Sequence, residues 1–426
     1  MPQLGVTRQN YAYIGWIKQS VWGTPLAPTS FWRWLDGTEA NPEVKVTIER
    51  EGDTSPFQNL AVKASQVWKI IVKERVRPIT AGCALQAVFG TGSDSVVPGT
   101  ATTLSAAIAA GTNTFNTVAS LGTAGTASVN FTPGYASQIY ETQTVNLASR
   151  AGTGPYTYTL QGAATFSSAH LINDPVSLTS IHTFTRGLTT YDPYTLEFAF
   201  HQNSGGFAGK AFRIQDCVCA ELKVTAEKGK ALEIQHTWYG SFATIQAAFL
   251  TPAFEGTNVV GAAGGPLVFY HAANNWQLDN LTTGNATSVT KLDLTLKNTG
   301  GDLDLQNELL YPQYFLPGNM DISGTIDVHF QSYQQFLEMY YGSAAATTGA
   351  TDSNLVGYGQ IQTSFASDGV NSLKIALPNV AYTAGKLTPK LDGKPLTQNI
   401  TFTALKNPAN PNPVTITLSN SQIAVY

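Results

Sequence analysis

The sequence predicts a mainly β protein in which one domain type occurs twice, each copy carries a short helix, and a small β domain is inserted into the first copy. Three features of the 426 residues support this class. Predicted strands alternate apolar and polar side chains with a period of two, a strand–helix–glycine unit occurs twice, and the composition changes abruptly once. Charged residues make up only 12% of the chain, against about a quarter in typical soluble domains.

The clearest unit lies between Met320 and Gly342. Its first part, from Ile322 to Phe330, places apolar side chains on one face of a strand. Ser332 and the glutamine three residues later have the spacing of a capping box, which starts a helix. Gly342 lies where a helix commonly ends in a left-handed residue. The unit is therefore predicted as a strand, a short helix and a terminating glycine.

A second copy of this unit lies between Trp68 and Gly90, where Pro78 separates the predicted strand from the predicted helix. Two further segments correspond in the same order along the chain. The correspondences are residues 44–48 with 291–296, and residues 229–232 followed by Trp238 with residues 393–396 followed by Phe402. Three matches in one order predict a divergent duplication.

The stretch from Thr91 to Thr185 has only four charged residues and no lysine. Residues 141–149 and 156–160 flank a glycine-rich turn and are predicted as a hairpin. Because the repeat resumes only at Arg186, this stretch is predicted to be a small inserted β domain. The predicted division is 1–90 for the start of the first repeated domain, 91–185 for the insertion, 186–250 for the completion of the first domain, 251–266 for a linker and 267–426 for the second domain. Strands predicted in the completing segment are 194–200, 212–219, 221–226 and 232–238.

The N-terminal segment is rich in aromatic residues, and two interpretations stay open. Its side chains either pack into the core of the same chain or lie against a neighbouring subunit. The aromatic residues are Tyr11, Tyr13, Trp16, Trp22, Trp32 and Trp34.

The predicted cellular compartment and the net charge of the chain exclude secreted, membrane-spanning and nucleic-acid-binding classes of protein. The chain starts without a signal-peptide pattern and has no apolar segment of 18 residues that could span a membrane. Its three cysteines, Cys83, Cys217 and Cys219, do not suggest a disulfide framework, so synthesis in the cytosol is expected. The net charge of −4 does not provide the basic surface that nucleic-acid binding requires.

Motifs for catalysis or metal binding are weak, so neither an enzyme nor a cofactor is predicted. The segment from Ser204 to Ala211 resembles a phosphate-binding loop but lacks its first glycine and its final Ser or Thr. The six histidines show no metal-ligand spacing. Asp302 and Asp304 could present two carboxylates on one face, but the loop lacks the other calcium ligands. No catalytic, cofactor-binding or metal-ligating residue is therefore assigned.

Several of these segments also carry a family resemblance. Residues 11–24, which end in Ser20-Val21-Trp22-Gly23-Thr24, resemble the start of tail tube (major tail) proteins of long-tailed bacteriophages. In the second half, the alternating strand near residue 291, the segment from Leu316 with Gly318 and Gly324, and the strands near residues 373–378 and 399–405 resemble the same family. The resemblance covers about residues 8–90 and 186–424.

The resemblance implies a tail-tube-type β-sandwich or partial barrel with one helix in each copy. Such domains pair edge to edge in rings, which stack into a hollow tube through which DNA passes without specific binding. Two copies per chain imply a ring of three subunits with pseudo-sixfold symmetry. The implied partners are the chain itself and the tail initiator, tape measure and terminator proteins. The implied location is the virion tail, assembled in the host cytoplasm, with a polar and somewhat acidic inner wall and the insertion outside.

Two other classes of function remain open. A surface adhesin with a lectin-like β fold would suit the many Tyr and Trp residues, and its insertion would contact glycans. A polysaccharide-degrading enzyme would have to use Asp302, Asp304 and Glu308 as its acids.

Overall fold

The computed structural model describes residues 11–49, 60–131, 139–166, 169–187, 190–200, 210–252, 254, 258–260, 268–278, 289–299, 311–312, 315, 318–329, 358–366, 371–388, 396–406, 411–422 and 426. These residues form 24 β-strands and one α-helix, so the mainly β prediction is confirmed. The pairings between these strands are antiparallel apart from one short parallel pair, and an isolated parallel bridge joins Phe31 to Phe254. The sheets that the described residues form do not close into a barrel. The helix predicted after Ser332 lies outside the described residues.

The elements before the insertion are β1 (Tyr11–Lys18), β2 (Ser30–Trp32), β3 (Glu39–Glu49), β4 (Leu60–Arg75) and α1 (Thr80–Phe89). Those of the predicted insertion are β5 (Asp94–Val97), β6 (Ala101–Thr103), β7 (Thr114–Thr117), β8 (Thr126–Phe131), β9 (Ile139–Ala151), β10 (Tyr156–Leu160), β11 (Pro175–Leu178) and β12 (Ser180–Phe184). The remainder of the first half contains β13 (Tyr194–Phe200), β14 (Ala211–Glu227), β15 (Glu233–Gly240) and β16 (Phe242–Gln246). The rest are β17 (Asn258–Val260), β18 (Tyr270–Leu278), β19 (Val289–Thr299), β20 (Asn319–His329), β21 (Tyr358–Ala366), β22 (Ser372–Thr388), β23 (Thr397–Ala404) and β24 (Thr415–Asn420).

Local sequence explains the predicted helix and one predicted hairpin. Helix α1 ends before Gly90, which has a φ of 93° and donates its N–H to the Gln86 carbonyl. Leu85 and Phe89 of this helix are buried, as predicted. Gly229 has a φ of 79° in the turn between β14 and β15, a backbone region that glycine occupies without steric cost.

β14 is a single strand of 17 residues, although the sequence predicted two strands separated at Ala220. Its first part pairs with β13 and β16, and its second part pairs with β15 and β19. Asp216, with a φ of 56°, marks the change, and a bulge follows at Ala220. These irregularities interrupt the apolar alternation without ending the strand.

Asp216 is held in this conformation by four donors and is 2% exposed. Its Oδ1 accepts hydrogen bonds from the Gly23 amide at 2.7 Å and from Gln19 Nε2 at 3.3 Å. Its Oδ2 accepts from Gln215 Nε2 at 2.9 Å and from the Ser241 hydroxyl at 3.2 Å. The carboxylate therefore connects the bend in β14 to the N-terminal segment and to the junction of β15 with β16.

The pattern of strand pairing in the first half recurs in the second half. The first half pairs β1–β13, β13–β14, β14–β16, β14–β15, β15–β4 and β4–β3. The second half pairs β18–β21, β21–β22, β22–β24, β22–β23, β23–β20 and β20–β19. We refer to these two sets of strands as the first and second repeats.

The register recurs as well as the pairing. Cys219 lies opposite Trp238 next to a bulge, and Tyr382 lies opposite Phe402 next to an equivalent bulge. The pairing thus makes Trp238 equivalent to Phe402, as the sequence predicted. The predicted alignment of β3 with β19 was out of register, because Glu39 is the residue equivalent to Asp293. An alternating strand can slide by an even number of residues without changing its pattern.

Within the predicted 91–185 insertion, two groups of strands have different neighbours. β6 to β11 form a separate seven-stranded sheet with β17, and it includes the predicted β9–β10 hairpin. A core of its own lies on this sheet, centred on Phe115, Phe131, Tyr158 and Phe166. β5 and β12 instead pair with each other, and β12 also pairs with β24 of the second repeat.

The N-terminal aromatic residues pack mainly inside the chain. Tyr13 and Trp32 are buried, Trp16 stacks on Trp32 with ring centroids 5.7 Å apart, and Trp22 contacts Phe315. The interpretation as core therefore holds for these four residues.

We predict that Asp216→Ala lowers the free energy of unfolding by about 3 kcal/mol. It leaves buried donors without their acceptor, at about 1–3 kcal/mol, and places alanine at a positive φ, at about 1–2 kcal/mol. Guanidinium denaturation followed by Trp fluorescence measures the change. Asp36→Ala is the matched control, because Asp36 is exposed and accepts a local bond from the Gly37 amide. Equal losses in the two variants would show that Asp216 has no special role.

Candidate functional site

The residues considered for chemistry from the sequence do not form a site in the described part of the chain. Asp302, Asp304 and Glu308 lie outside the described residues, as do positions 204–209 of the glycine-rich loop. Cys83, Cys217 and Cys219 are free and buried, and burial raises the pKa of each thiol. Among the described residues, no group of three or more His, Cys, Asp or Glu side chains could hold a metal ion. The same residues contain no helix long and apolar enough to cross a membrane.

The first repeat contains a buried acid–imidazole pair that the sequence did not reveal. Glu74 and His236 are both fully buried, and Glu74 Oε1 lies 3.5 Å from His236 Nε2. Trp238 Nε1 donates to His236 Nδ1, which places the proton of the neutral ring on Nε2. Burial raises the pKa of Glu74 to about 8, opposed in part by Arg77, and lowers the pKa of His236 to about 3. Both groups are therefore largely uncharged near neutral pH.

Two more histidines pair with buried carboxylates. In the seven-stranded sheet, His170 Nε2 lies 3.0 Å from Glu141 Oε2, and His170 Nδ1 lies 3.8 Å from Asp174 Oδ2. Beside β24, His182 Nδ1 lies 3.0 Å from Asp94 Oδ2, and His182 Nε2 lies 2.7 Å from the Gln422 carbonyl oxygen. Because these histidines have no exposed surface, the arrangements join strands and do not present reactive atoms to solvent.

A continuous polar surface covers one face of an eight-stranded segment. Its strands lie in the order β3, β4, β15, β14, β19, β20, β23 and β22. The opposite face is buried through residues such as Ile70, Leu222, Leu294 and Phe402. We call the polar side the charged face.

Acidic and basic residues occur in equal number on the described part of the charged face. The acids are Glu39, Glu43, Glu221, Glu227, Glu233, Asp293, Asp321 and Asp327, and the bases are Lys45, Lys69, Lys73, Arg75, Lys223, Lys291, Lys297 and Lys386. Opposite charges face each other across strands, as with Glu221 and Lys297 in β14 and β19. The Lys73 ammonium lies 3.1 Å from the Glu233 carboxylate. Such alternation cancels the long-range field of the surface.

A groove of about 680 Å³ lies at the rim of this face. Tyr191, Tyr239 and Phe315 provide aromatic surface, and Lys69 and Lys297 provide charge. The groove is open to solvent and is lined by aromatic and charged side chains, so its geometry suits contact with a polymer or a protein better than catalysis.

Comparison with protein-family models and with curated proteins finds no match to this chain.

We predict that the Glu74–His236 pair costs stability compared with its equivalents in the second repeat, Val328 and Ile400. Glu74→Val or His236→Ile alone should lower the free energy of unfolding by about 1 kcal/mol, because each removes the 3.5 Å polar contact that the remaining buried group makes across the pair. The double variant should lose less than the sum of the two single losses, which a double-mutant cycle from guanidinium denaturation measures. Additive losses would contradict the proposed coupling.

The pair should also set a pH dependence. The folded-state pKa of Glu74 is raised, so its contribution is complete below about pH 4.5 and is lost as pH rises towards 8. The folded-state pKa of His236 is lowered, so its contribution is complete above about pH 6.5 and is lost as pH falls. Between pH 6.5 and 8, wild-type stability should therefore fall relative to the double variant, by up to about 1 kcal/mol per pH unit. Parallel pH curves for the two proteins would contradict this assignment.

Proposed function

We propose that the chain is a structural subunit that assembles into rings, and that the rings stack into the hollow tail tube of a long-tailed bacteriophage. A ring is proposed to contain three chains and therefore six repeats with pseudo-sixfold symmetry. The observation that carries the proposal is the joint between the repeats. The second repeat continues the sheet of the first repeat edge to edge, through β14 and β19. A unit that already joins a copy of itself by its sheet edge can extend the series through further chains.

The charged face supports a role as the inner wall of such a tube. Its strands run side by side across both repeats, so a closed series of repeats would form one continuous wall. The equal acids and bases of its described part differ from the somewhat acidic wall that the resemblance implied. Because opposite charges are already paired across strands, the wall offers few unpaired cations to DNA phosphates, and DNA could pass without fixed binding.

The remaining parts of the proposal concern the partners. The initiator, tape measure and terminator proteins of the tail would contact the ends and the inside of the tube, which assembles in the host cytoplasm and then resides in the virion. The seven-stranded sheet has a core of its own, which suits a position on the outside of the tube. No catalytic step or cofactor is part of this function.

A lectin-like adhesin is a second candidate, and the rim groove is the observation that favours it. Aromatic side chains beside polar groups, as with Tyr191 and Tyr239 next to Gln235, can stack on sugar rings and bind their hydroxyl groups. Binding of the purified protein to host polysaccharide, lost in Tyr239→Ala, would support this candidate.

Negative-stain electron microscopy of the concentrated protein tests the proposed function. We predict hollow tubes or stacked rings with threefold symmetry in projection. The control is the same preparation with Glu43→Pro, which places a proline in the edge strand β3. A wild-type protein that stays monomeric at high concentration, also after addition of preformed tail tips as nuclei, would contradict the proposal.

We also predict that the strands of the seven-stranded sheet between β5 and β12 can be deleted without loss of assembly, provided that β5 and β12 are kept. Replacing residues 101–178 by Asn-Gly should preserve assembly, because the Leu178 amide donates to the Thr100 carbonyl at 2.8 Å and the ends are already adjacent. Removing residues 95–183 is the matched control, since it also deletes β12, its pairing with β24 and the His182–Asp94 contact. Thermal unfolding and electron microscopy measure both variants. Failure of the shorter deletion to fold would show that the sheet supports the repeats.

A further inference from the structure

The joint inside the chain provides a template for a joint between chains. Residues 221–227 of β14 pair antiparallel with residues 297–291 of β19, with Glu221 opposite Lys297 and Lys223 opposite Thr295. The apolar side of this joint is closed by Leu222, Val224 and the leucines of β19. Seven directly opposed residue pairs therefore connect the two repeats.

The internal joint has two sides, β14 of the first repeat and β19 of the second repeat. Because the register recurs, each of these strands has an equivalent strand in the other repeat. The pairing of β14 with β15 corresponds to that of β22 with β23, which makes Glu221 equivalent to Ala384 and Lys223 equivalent to Lys386. The pairing of β3 with β4 corresponds to that of β19 with β20, which makes Glu43 equivalent to Lys297. One equivalent edge thus belongs to β22 and the other belongs to β3.

Both equivalent edges lack a strand neighbour in the described part of the chain. β3 pairs with β4 alone, and residues 384–388 of β22 pair only with β23 on their other side. Unpaired strand edges expose backbone donors and acceptors that readily bind another strand. β3 is equivalent to β19 and this part of β22 is equivalent to β14, and β14 and β19 pair in the internal joint. The two open edges are therefore complementary to each other.

We infer that residues 39–43 of one chain pair antiparallel with residues 384–388 of the next chain, in the register of the internal joint. Asn41 then lies opposite Lys386 of the partner subunit, as Thr295 lies opposite Lys223 within the chain. The inference rests on the proposed function for the existence of self-assembly, and it adds the strands and the register through which assembly proceeds.

Charge at the predicted register supports this pairing. Lys386 would have Glu39 and Glu43 at its two diagonal positions, where long side chains reach each other. Glu39, Asn41, Glu43 and Lys386 are all exposed in the single chain. Pro42 has no amide to donate, so the intermolecular joint contains fewer backbone donors than the internal one.

A second open edge lies on the first repeat. β24 of the second repeat is covered by β12 of the first half, whereas its equivalent β16 pairs only with β14 among the described residues. Ile245 of β16 is 53% exposed, while the equivalent Ile416 is fully buried. Within the chain, β19 and β24 of the second repeat both contact the first half, β19 through β14 and β24 through β12. In the first repeat, β3 is the equivalent of β19 and β16 is the equivalent of β24. β3 and β16 should therefore contact the same neighbouring chain.

Cysteine cross-linking between two separately purified variants tests this register. Asn41→Cys and Lys386→Cys are mixed under assembly conditions, oxidised and analysed on a non-reducing gel; the native cysteines are buried. A disulfide needs a Cβ–Cβ distance of about 3.5–4.5 Å. Directly opposite residues have Cβ atoms about 4.5–5.5 Å apart and diagonal residues about 7–8 Å apart, so opposite residues should cross-link more readily than diagonal ones. The register control mixes Asn41→Cys with Ala384→Cys. The positive control carries Lys223→Cys and Thr295→Cys in one chain.

The expected result is a covalent dimer in the Asn41→Cys and Lys386→Cys mixture, in at least fivefold excess over the register control. Each variant alone should give only background dimer. Rings or tubes that form without this enrichment would overturn the inferred joint and leave the proposed function standing. A mixture that neither assembles nor cross-links, while the positive control forms its internal disulfide, would overturn both.

Discussion

β14 pairs along its length with two different sets of neighbouring strands, and this backbone pairing holds the two repeats together. The first part of this strand completes the sheet beneath α1, and its second part carries β19 and through it the second repeat. The change of partners occurs at Asp216, whose carboxylate accepts hydrogen bonds from the N-terminal segment and from the junction of β15 with β16. Each residue pair in a β-ladder sets the position of the next pair. Fixing the bend of β14 at Asp216 therefore fixes the register of the strand pairs before and after this residue.

This arrangement explains why a chain with so few charges can have a large polar surface. The eight-stranded segment buries one face in a shared core, and nearly all of its charges are placed on the other face. Cross-strand pairing of acids with bases keeps that face close to neutral. A surface of this kind stays hydrated without strongly attracting a polyanion, which is the property that the proposed tube wall needs.

Local patterns in the sequence predicted the strands well, because alternation and turn residues act over a few positions. The Tyr194–Phe200 strand and the Gly229 turn were predicted at the positions that the structure gives. The continuity of β14 was missed, because Asp216 and Ala220 break the alternation and nothing local shows that hydrogen bonding continues through them. The offset between β3 and β19 was also wrong, since the sequence pattern does not distinguish registers that differ by an even number of residues.

The charged face could be predicted from the sequence less completely than the fold could. Polar alternation indicated that each strand has a hydrated side, but which strands lie next to each other depends on contacts between distant residues. The Glu74–His236 pair is separated by 162 positions, and neither residue lies in a recognisable motif. The open edges of β3 and β22 depend on which strands pair in each repeat, and the sequence pattern does not show this.

Hydrogen exchange of the assembled protein, compared with the single chain, tests whether the chains join through β3 and β22. Amide protons of residues 39–41, 43 and 384–388 should be protected on assembly, because residues 39–43 and 384–388 would form new strand pairs, while the amides of 221–227 and 291–297 should stay protected in both states. Assembled particles in which these amides of β3 and β22 exchange as fast as in the single chain would show that the chains join elsewhere.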